Sequence, residues 1–170
     1  MLIPFLRSRM RLPFRLYFLV LFALCVGELC FGVFYLQGMK GLEPCPMCIM
    51  QRCALLVVGL IALTAAFHNR GPRIYGALVI LAALAGVVVA ARQSWLQLYP
   101  PSIAECGPGL EYLMERFPLS ELLPKLFQGA GDCSAVDWTF LWLSIANWGL
   151  VTFCGIVAVT LWMILRRPAP

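Results

Sequence analysis

The sequence predicts an all-α membrane protein: a four-transmembrane-helix bundle with a long loop on one face that carries short amphipathic interfacial helices. Three observations predict it. The 170 residues are 62% hydrophobic and 12% charged, a balance that no ordinary soluble domain of this length can hide in one core. Four apolar stretches of roughly 20 residues are each long enough to cross about 30 Å of hydrocarbon. None alternates as an outer-membrane strand does, and lipid admits only helices or closed barrels. The chain reads as a single membrane domain over residues 1–170, with spans at about 16–36, 49–67, 74–91 and 145–165.

The first span follows a basic segment that contains Arg7, Arg9, Arg11 and Arg15. Its apolar run is longer than a signal-peptide core and ends in no small-x-small cleavage pattern, so it reads as a retained helix. Arg70 and Arg73 lie in the turn between the second and third spans, and Arg166 and Arg167 follow the fourth. All of these fall on one side, which the positive-inside rule makes cytoplasmic. Both termini then lie in the cytoplasm, and the loops at about 37–48 and 96–144 face outward. This sorting accounts for the net charge of +5 and leaves no case for nucleic-acid binding.

Within the first span Glu28 is a carboxyl at membrane depth, where a partner on a neighbouring helix, a proton path or a cavity is the usual reason for one. Cys25, Cys30, Cys53 and Cys154 read as small hydrophobic residues packed in helices. His68, the only histidine, sits on the cytoplasmic side and is given no catalytic role. Gln97 reads as a polar cap to its helix or a ligand contact. Trp95 and Tyr99 read as interface anchors, and Pro100 and Pro101 as the stop to the third helix. Residues 110–127 carry apolar and charged residues at helical spacing, broken at Pro118 and Pro124, as surface-lying helices do. Trp138, Trp142 and Trp148 belt the entry to the fourth helix.

The chemistry concentrates at Pro44-Cys45-Pro46-Met47-Cys48. A Cys-x-x-Cys pair at a helix start is a redox arrangement, because unpaired backbone N–H groups favour a thiolate there. Arg52 follows Cys48 by four residues, on the same helix face and about one turn deeper. It is either snorkelling to the headgroups or placed to stabilise a Cys48 thiolate or an anion beside it. Of eight cysteines, Cys45, Cys48, Cys106 and Cys133 share the oxidising face. Proximity pairs Cys45 with Cys48 and leaves Cys106 with Cys133. The second pair could instead be a structural disulfide worth roughly 3 to 4 kcal/mol. A four-cysteine zinc site lacks the paired spacing in its second half, so no metal is assigned.

Taken together, these residues resemble the disulfide bond formation protein B (DsbB) family of bacterial inner-membrane thiol oxidases. The resemblance rests on the Cys45 motif with Gln51-Arg52-Cys53-Ala54, on Gln97-Leu98-Tyr99-Pro100, on Cys106 and on Gly131-Asp132-Cys133. It implies a protein-disulfide oxidoreductase, multi-pass in the inner membrane with its active site on the periplasmic side. The implied catalytic residues are the redox disulfides Cys45–Cys48 and Cys106–Cys133, with Cys48 and Arg52 meeting a membrane quinone, ubiquinone or menaquinone. The implied partner is a DsbA-like periplasmic thioredoxin-fold oxidase. Such a partner lies near −120 mV, whereas structural disulfides lie below about −300 mV, a gap of roughly 8 kcal/mol that only a strong oxidant such as a quinone can hold open. The resemblance also implies a transient Cys45–Cys133 disulfide within the relay.

Two positions depart from the family pattern. Ala146-Asn147 stands where a proline before Trp148 is expected, and Trp142 stands where a small residue is usual. Both concern the entry of the fourth helix. The competing readings are a non-enzymatic four-helix scaffold with structural disulfides and a transmembrane exporter of thiol reductant.

Overall fold

The structure is a computed structural model that describes residues 3–68, 70–100, 133–136 and 138–165. The expected loop helices between 110 and 127, and Cys106 with them, lie outside the described residues. Helix α1 spans Ile3–Cys30 and runs directly into a π-helix at Phe31–Met39. Helix α2 spans Pro46–His68 and α3 spans Pro72–Leu98. A short antiparallel hairpin of β1 (Thr139–Phe140) and β2 (Leu143–Ser144) leads into α4, Ile145–Leu165. Among the described residues four helices are long and apolar enough to cross a membrane: Phe14–Met39, Pro46–His68, Pro72–Leu98 and Ile145–Leu165. The four-helix membrane bundle expected from the sequence is the architecture observed.

Local chemistry fixes the helix ends. Pro46 and Pro72 each stand at a helix start, where the missing N–H costs nothing and the fixed φ suits the first turn. Gly71 precedes Pro72 with φ +59°, a left-handed conformation that glycine adopts without strain. His68 Nδ1 lies 2.7 Å from the Tyr75 hydroxyl and ties the two helices together at this turn. Helix α3 continues through Arg92-Gln93-Ser94 to Leu98, past the expected span end at 91, and Gln93 and Gln97 there meet partners in the protein.

The bundle closes through small residues, as bundles in lipid do when water supplies no driving force between helices. The Phe153 ring of α4 lies against the Gly86 Cα of α3, and a Cβ at Gly76 would come within 2.6 Å of Ile164 Cδ1. Between α1 and α2, a Cβ at Gly59 would lie 3.3 Å from Cys25 Cβ. The core runs through Phe18, Val58, Ala62, Val79, Ala83 and Phe153, all at most 2% exposed. Of the cysteines expected to pack within helices, only Cys25 is buried; Cys30, Cys53 and Cys154 are exposed on the outside of the bundle. Packing therefore does not account for those three.

Leu141 and Trp142 form the two-residue hairpin turn with φ +50° and +69°. A tight hairpin of this kind needs positive φ at both central residues, which is why a small residue is usual at position 142. Trp142 stands 98% exposed at the tip. Ser144 Oγ accepts from the Asn147 N–H at 3.3 Å, capping the start of α4 in place of a proline device.

Candidate active site

The Cys-x-x-Cys pair is built by the first turn of α2. Cys45 occupies the N-cap position: its carbonyl accepts the first helical bond from Ile49 at 3.1 Å, and its Sγ accepts the Cys48 N–H at 3.3 Å. The sulfur thus does what a serine or aspartate oxygen does at other helix starts. This contact also holds the two side chains together, and the Cys45 thiol donates to Cys48 Sγ at 3.0 Å.

Cys133 reaches the same place from the loop. It is fully buried and packs with Cys45, Met47, Val89 and Leu96 in a small cluster apart from the main core. Its sulfur hydrogen-bonds with Cys45. Cys45 therefore touches Cys133 and Cys48 at once. Those two contacts, with burial, hold its thiol well above the ordinary thiol range. Of the expected pairing Cys106–Cys133, the described residues contain only Cys133, and it sits against Cys45.

Gln97 ties this arm down. Its Nε2 donates to the Ala135 carbonyl at 3.4 Å, and its Oε1 accepts from Ser144 Oγ at 2.6 Å. It clamps the Cys133 segment and the hairpin to α3 in place of the helix cap expected of it, and it also borders the cavity behind the cysteines, where a ligand contact was expected.

Behind the cysteines lies a cavity of about 820 Å³, within the size range of small-molecule sites. Phe31, Trp138, Phe140 and Trp148 give it an aromatic wall. These rings follow one another at centroid distances of 5.9, 6.0 and 6.1 Å, edge-to-face, stacked and tilted in turn, and Trp148 Nε1 donates to the Phe140 carbonyl at 3.0 Å. Cys48, Arg52, Gln51 and Gln93 also line it, as does Glu28. Arg52 is aimed by two neutral acceptors, Gln37 Oε1 at 2.5 Å and the Gly32 carbonyl at 3.1 Å. Both belong to the π-helical stretch, and π-helical turns recur at functional sites. With neutral partners only in these bonds, the guanidinium keeps its charge for the cavity. Glu28 Oε1 accepts from Thr152 Oγ1 of α4 at 2.7 Å, so its carboxyl has the neighbouring-helix partner that its depth calls for.

The residues that sequence reasoning passed over are Gln93 and Gln51. Gln93 Nε2 lies 3.3 Å from both Cys45 Sγ and Cys48 Sγ, and Gln93 Oε1 accepts from Gln51 Nε2 at 2.7 Å. Both side chains are buried. Gln51 enters the sequence reading only as part of the motif around Arg52, and Gln93 is given no role. The available signal was that Gln51 follows Cys48 by three positions, hence on its face of α2.

The site fits a quinone on chemical grounds. An apolar aromatic cavity next to a dithiol and a fixed positive charge can hold a flat ring with oxygen atoms at its edge.

Comparison with known proteins agrees with this geometry. The family model described as "Disulfide bond formation protein DsbB" matches residues 14–163. Curated proteins named disulfide bond formation protein B are similar over most of their length. That of an Azoarcus species is 58% identical over 153 residues, covering 88% of this chain and 92% of the relative. That of Aromatoleum aromaticum is 56% identical over 156 residues, covering 90% and 93%. That of Chromobacterium violaceum is 46% identical over 154 residues, covering 88% and 92%.

Proposed function

The chain belongs to the disulfide bond formation protein B family, and on that premise we propose that four of its cysteines form a relay from protein thiols to a quinone. It is a multi-pass membrane thiol:quinone oxidoreductase that sustains disulfide bond formation. The finer assignments are the proposal. A reduced DsbA-like periplasmic oxidase hands its electron pair to the Cys106–Cys133 pair, entering through a mixed disulfide with Cys106. Cys133 then exchanges with Cys45, and the pair leaves through Cys48. The active site faces the periplasm.

The observation that carries this reading is the double contact of Cys45 with Cys133 and Cys48. Thiol–disulfide exchange requires the attacking sulfur, the attacked sulfur and the leaving sulfur to meet in one place, and here three sulfurs do. A bound quinone, ubiquinone or menaquinone, supplies the sink for two electrons and two protons. Arg52 would hold positive charge beside its edge and beside Cys48, favouring negative charge on either. The aromatic wall would orient the ring and keep water from the reacting sulfur.

The test uses the purified protein, a reduced periplasmic thioredoxin-like protein and a soluble quinone, mixed without oxygen, with quinone absorbance followed over time. Quinone consumption is expected from the native chain, and none from Cys48→Ser or Cys106→Ser variants that keep their thermal unfolding temperature. A native protein that consumes no quinone refutes the reading.

A further inference from the structure

Resting on that relay, we propose that Gln93, held in place by Gln51, is a catalytic residue of the internal exchange step: its amide stabilises Cys48 as the thiolate that leaves Cys45.

In the step concerned, the Cys133 thiolate attacks Cys45 Sγ of the Cys45–Cys48 disulfide. The Cys45–Cys133 bond forms, the Cys45–Cys48 bond breaks, and Cys48 departs with the electron pair as a thiolate. Electrons balance within the three sulfurs, and no outside oxidant enters. Exchange is faster when the leaving thiol is the better-stabilised anion. What stabilises it must be a donor already in position, because a donor that reorganises during the reaction gives back much of the gain.

Gln93 is such a donor. Its Nε2 stands 3.3 Å from Cys48 Sγ and the same distance from Cys45 Sγ, and an amide nitrogen carries two hydrogens, so both contacts can be made together. The side chain is 3% exposed. Its direction is set from behind. Gln51 Nε2 donates to Gln93 Oε1 at 2.7 Å, which leaves the Gln93 nitrogen as the end that faces the sulfurs. Gln51 is itself fixed, for its Oε1 lies against the Gly149 Cα of α4, where a Cβ would collide with it. The buried chain from Gly149 through Gln51 to Gln93 therefore presents N–H groups, and not a carbonyl, to the dithiol. In the reduced pair the Cys48 N–H donates to Cys45 Sγ, and Cys48 Sγ receives two side-chain donors, Gln93 Nε2 and the Cys45 thiol. When the disulfide opens, Cys45 passes into the bond with Cys133, and the Gln93 N–H on Cys48 Sγ holds the departing charge.

The test reads Cys48 directly, without quinone. The full-length protein in detergent, stripped of quinone and reduced, is treated with iodoacetamide, and alkylation of the Cys48 peptide is timed by mass spectrometry across pH. Gln93→Met keeps the shape of the side chain and removes the donors. It is expected to slow Cys48 alkylation about tenfold at neutral pH, the effect of losing one hydrogen bond to a charged group, and to move the midpoint of the pH profile upward. Gln51→Met, which frees the Gln93 amide to turn, moves both readings the same way by less. Gln93→Asn, shorter by one methylene but still a donor, provides the comparison should Gln93→Met unfold, and is expected to fall between it and the native chain. Unchanged alkylation rates and pH midpoint in folded variants overturn the assignment. The relay fails separately: a native protein that reduces no quinone overturns the relay, whereas the alkylation ratio is measured before any quinone is present.

Discussion

The contact of Phe153 with Gly86 holds α4 against α3, and it allows a prediction whose sign is set by shape alone. Phe153 is fully buried, its ring lying on the Gly86 Cα. Truncation in Phe153→Ala opens a void of roughly 100 Å³, which at about 24 cal/mol per Å³ costs about 2.4 kcal/mol. The transfer part of the usual penalty is small here, since lipid tails are as apolar as the core. Gly86→Ala forces a methyl into the ring and costs about 1 to 3 kcal/mol by overpacking, offset by about 1 kcal/mol of helix propensity. Combined, the new methyl enters the space that the ring has left. The double variant is expected to be less destabilised than the sum of the singles by about 1 to 2 kcal/mol. Equilibrium unfolding in mixed micelles of mild detergent and dodecyl sulfate measures all four proteins. Additivity within about 0.5 kcal/mol would refute the packing argument. The result bears on chemistry, because Gln93 lies seven residues beyond Gly86 on the same face of α3, and a shift of α4 also moves Gly149 from behind Gln51.

Two further outcomes follow from the site. Arg52→Met removes a charge and the bonds to Gln37 and Gly32, and should raise the KM for quinone about tenfold, with Arg52→Lys in between because it keeps charge without the fork; equal KM values would return Arg52 to a headgroup role. Because its folded-state value is raised by Cys133, Cys48 and burial, the Cys45 thiol stays protonated in the folded protein after it ionises in the unfolded one. Its contribution is thus complete below the unfolded thiol value of about 8.5 and declines as pH rises above it. Thermal unfolding of the reduced protein should fall more steeply between pH 8 and 10 than that of Cys45→Ser, and parallel curves would contradict the assignment.

The spans, the dithiol and Arg52 were legible because each has a one-dimensional signature: apolar length, Cys-x-x-Cys, and a charge four residues on. What was not legible depends on partners distant in the chain. Gln93 looks like any polar residue near a helix end until Cys45, Cys48 and Gln51 are seen around it. The clamp made by Gln97 was hidden for the same reason, its partners Ala135 and Ser144 lying 38 and 47 residues away. The hairpin was missed because Leu141-Trp142 carries none of the Asn or Gly that marks such a turn. The place of Cys133 against Cys45 came only as an implication of the family resemblance, because no spacing rule relates two residues 88 positions apart.

The π-helix at Phe31–Met39 has a consequence for how Arg52 is gripped. In an α-helix, residues five apart point about 140° away from one another, since each turn takes 3.6 residues. Gly32 and Gln37 are five apart, yet both bond the same guanidinium. A helix that closes its turns one residue later, as the Lys40 N–H to Tyr35 carbonyl bond at 3.0 Å does here, brings positions five apart nearly into line. The grip on Arg52 is thus a matter of helical phase. Rewinding the same residues as an α-helix would turn Gln37 away from Gly32 and the charge, whereas removing one residue between them would restore the alignment at the four-residue spacing of an α-helix.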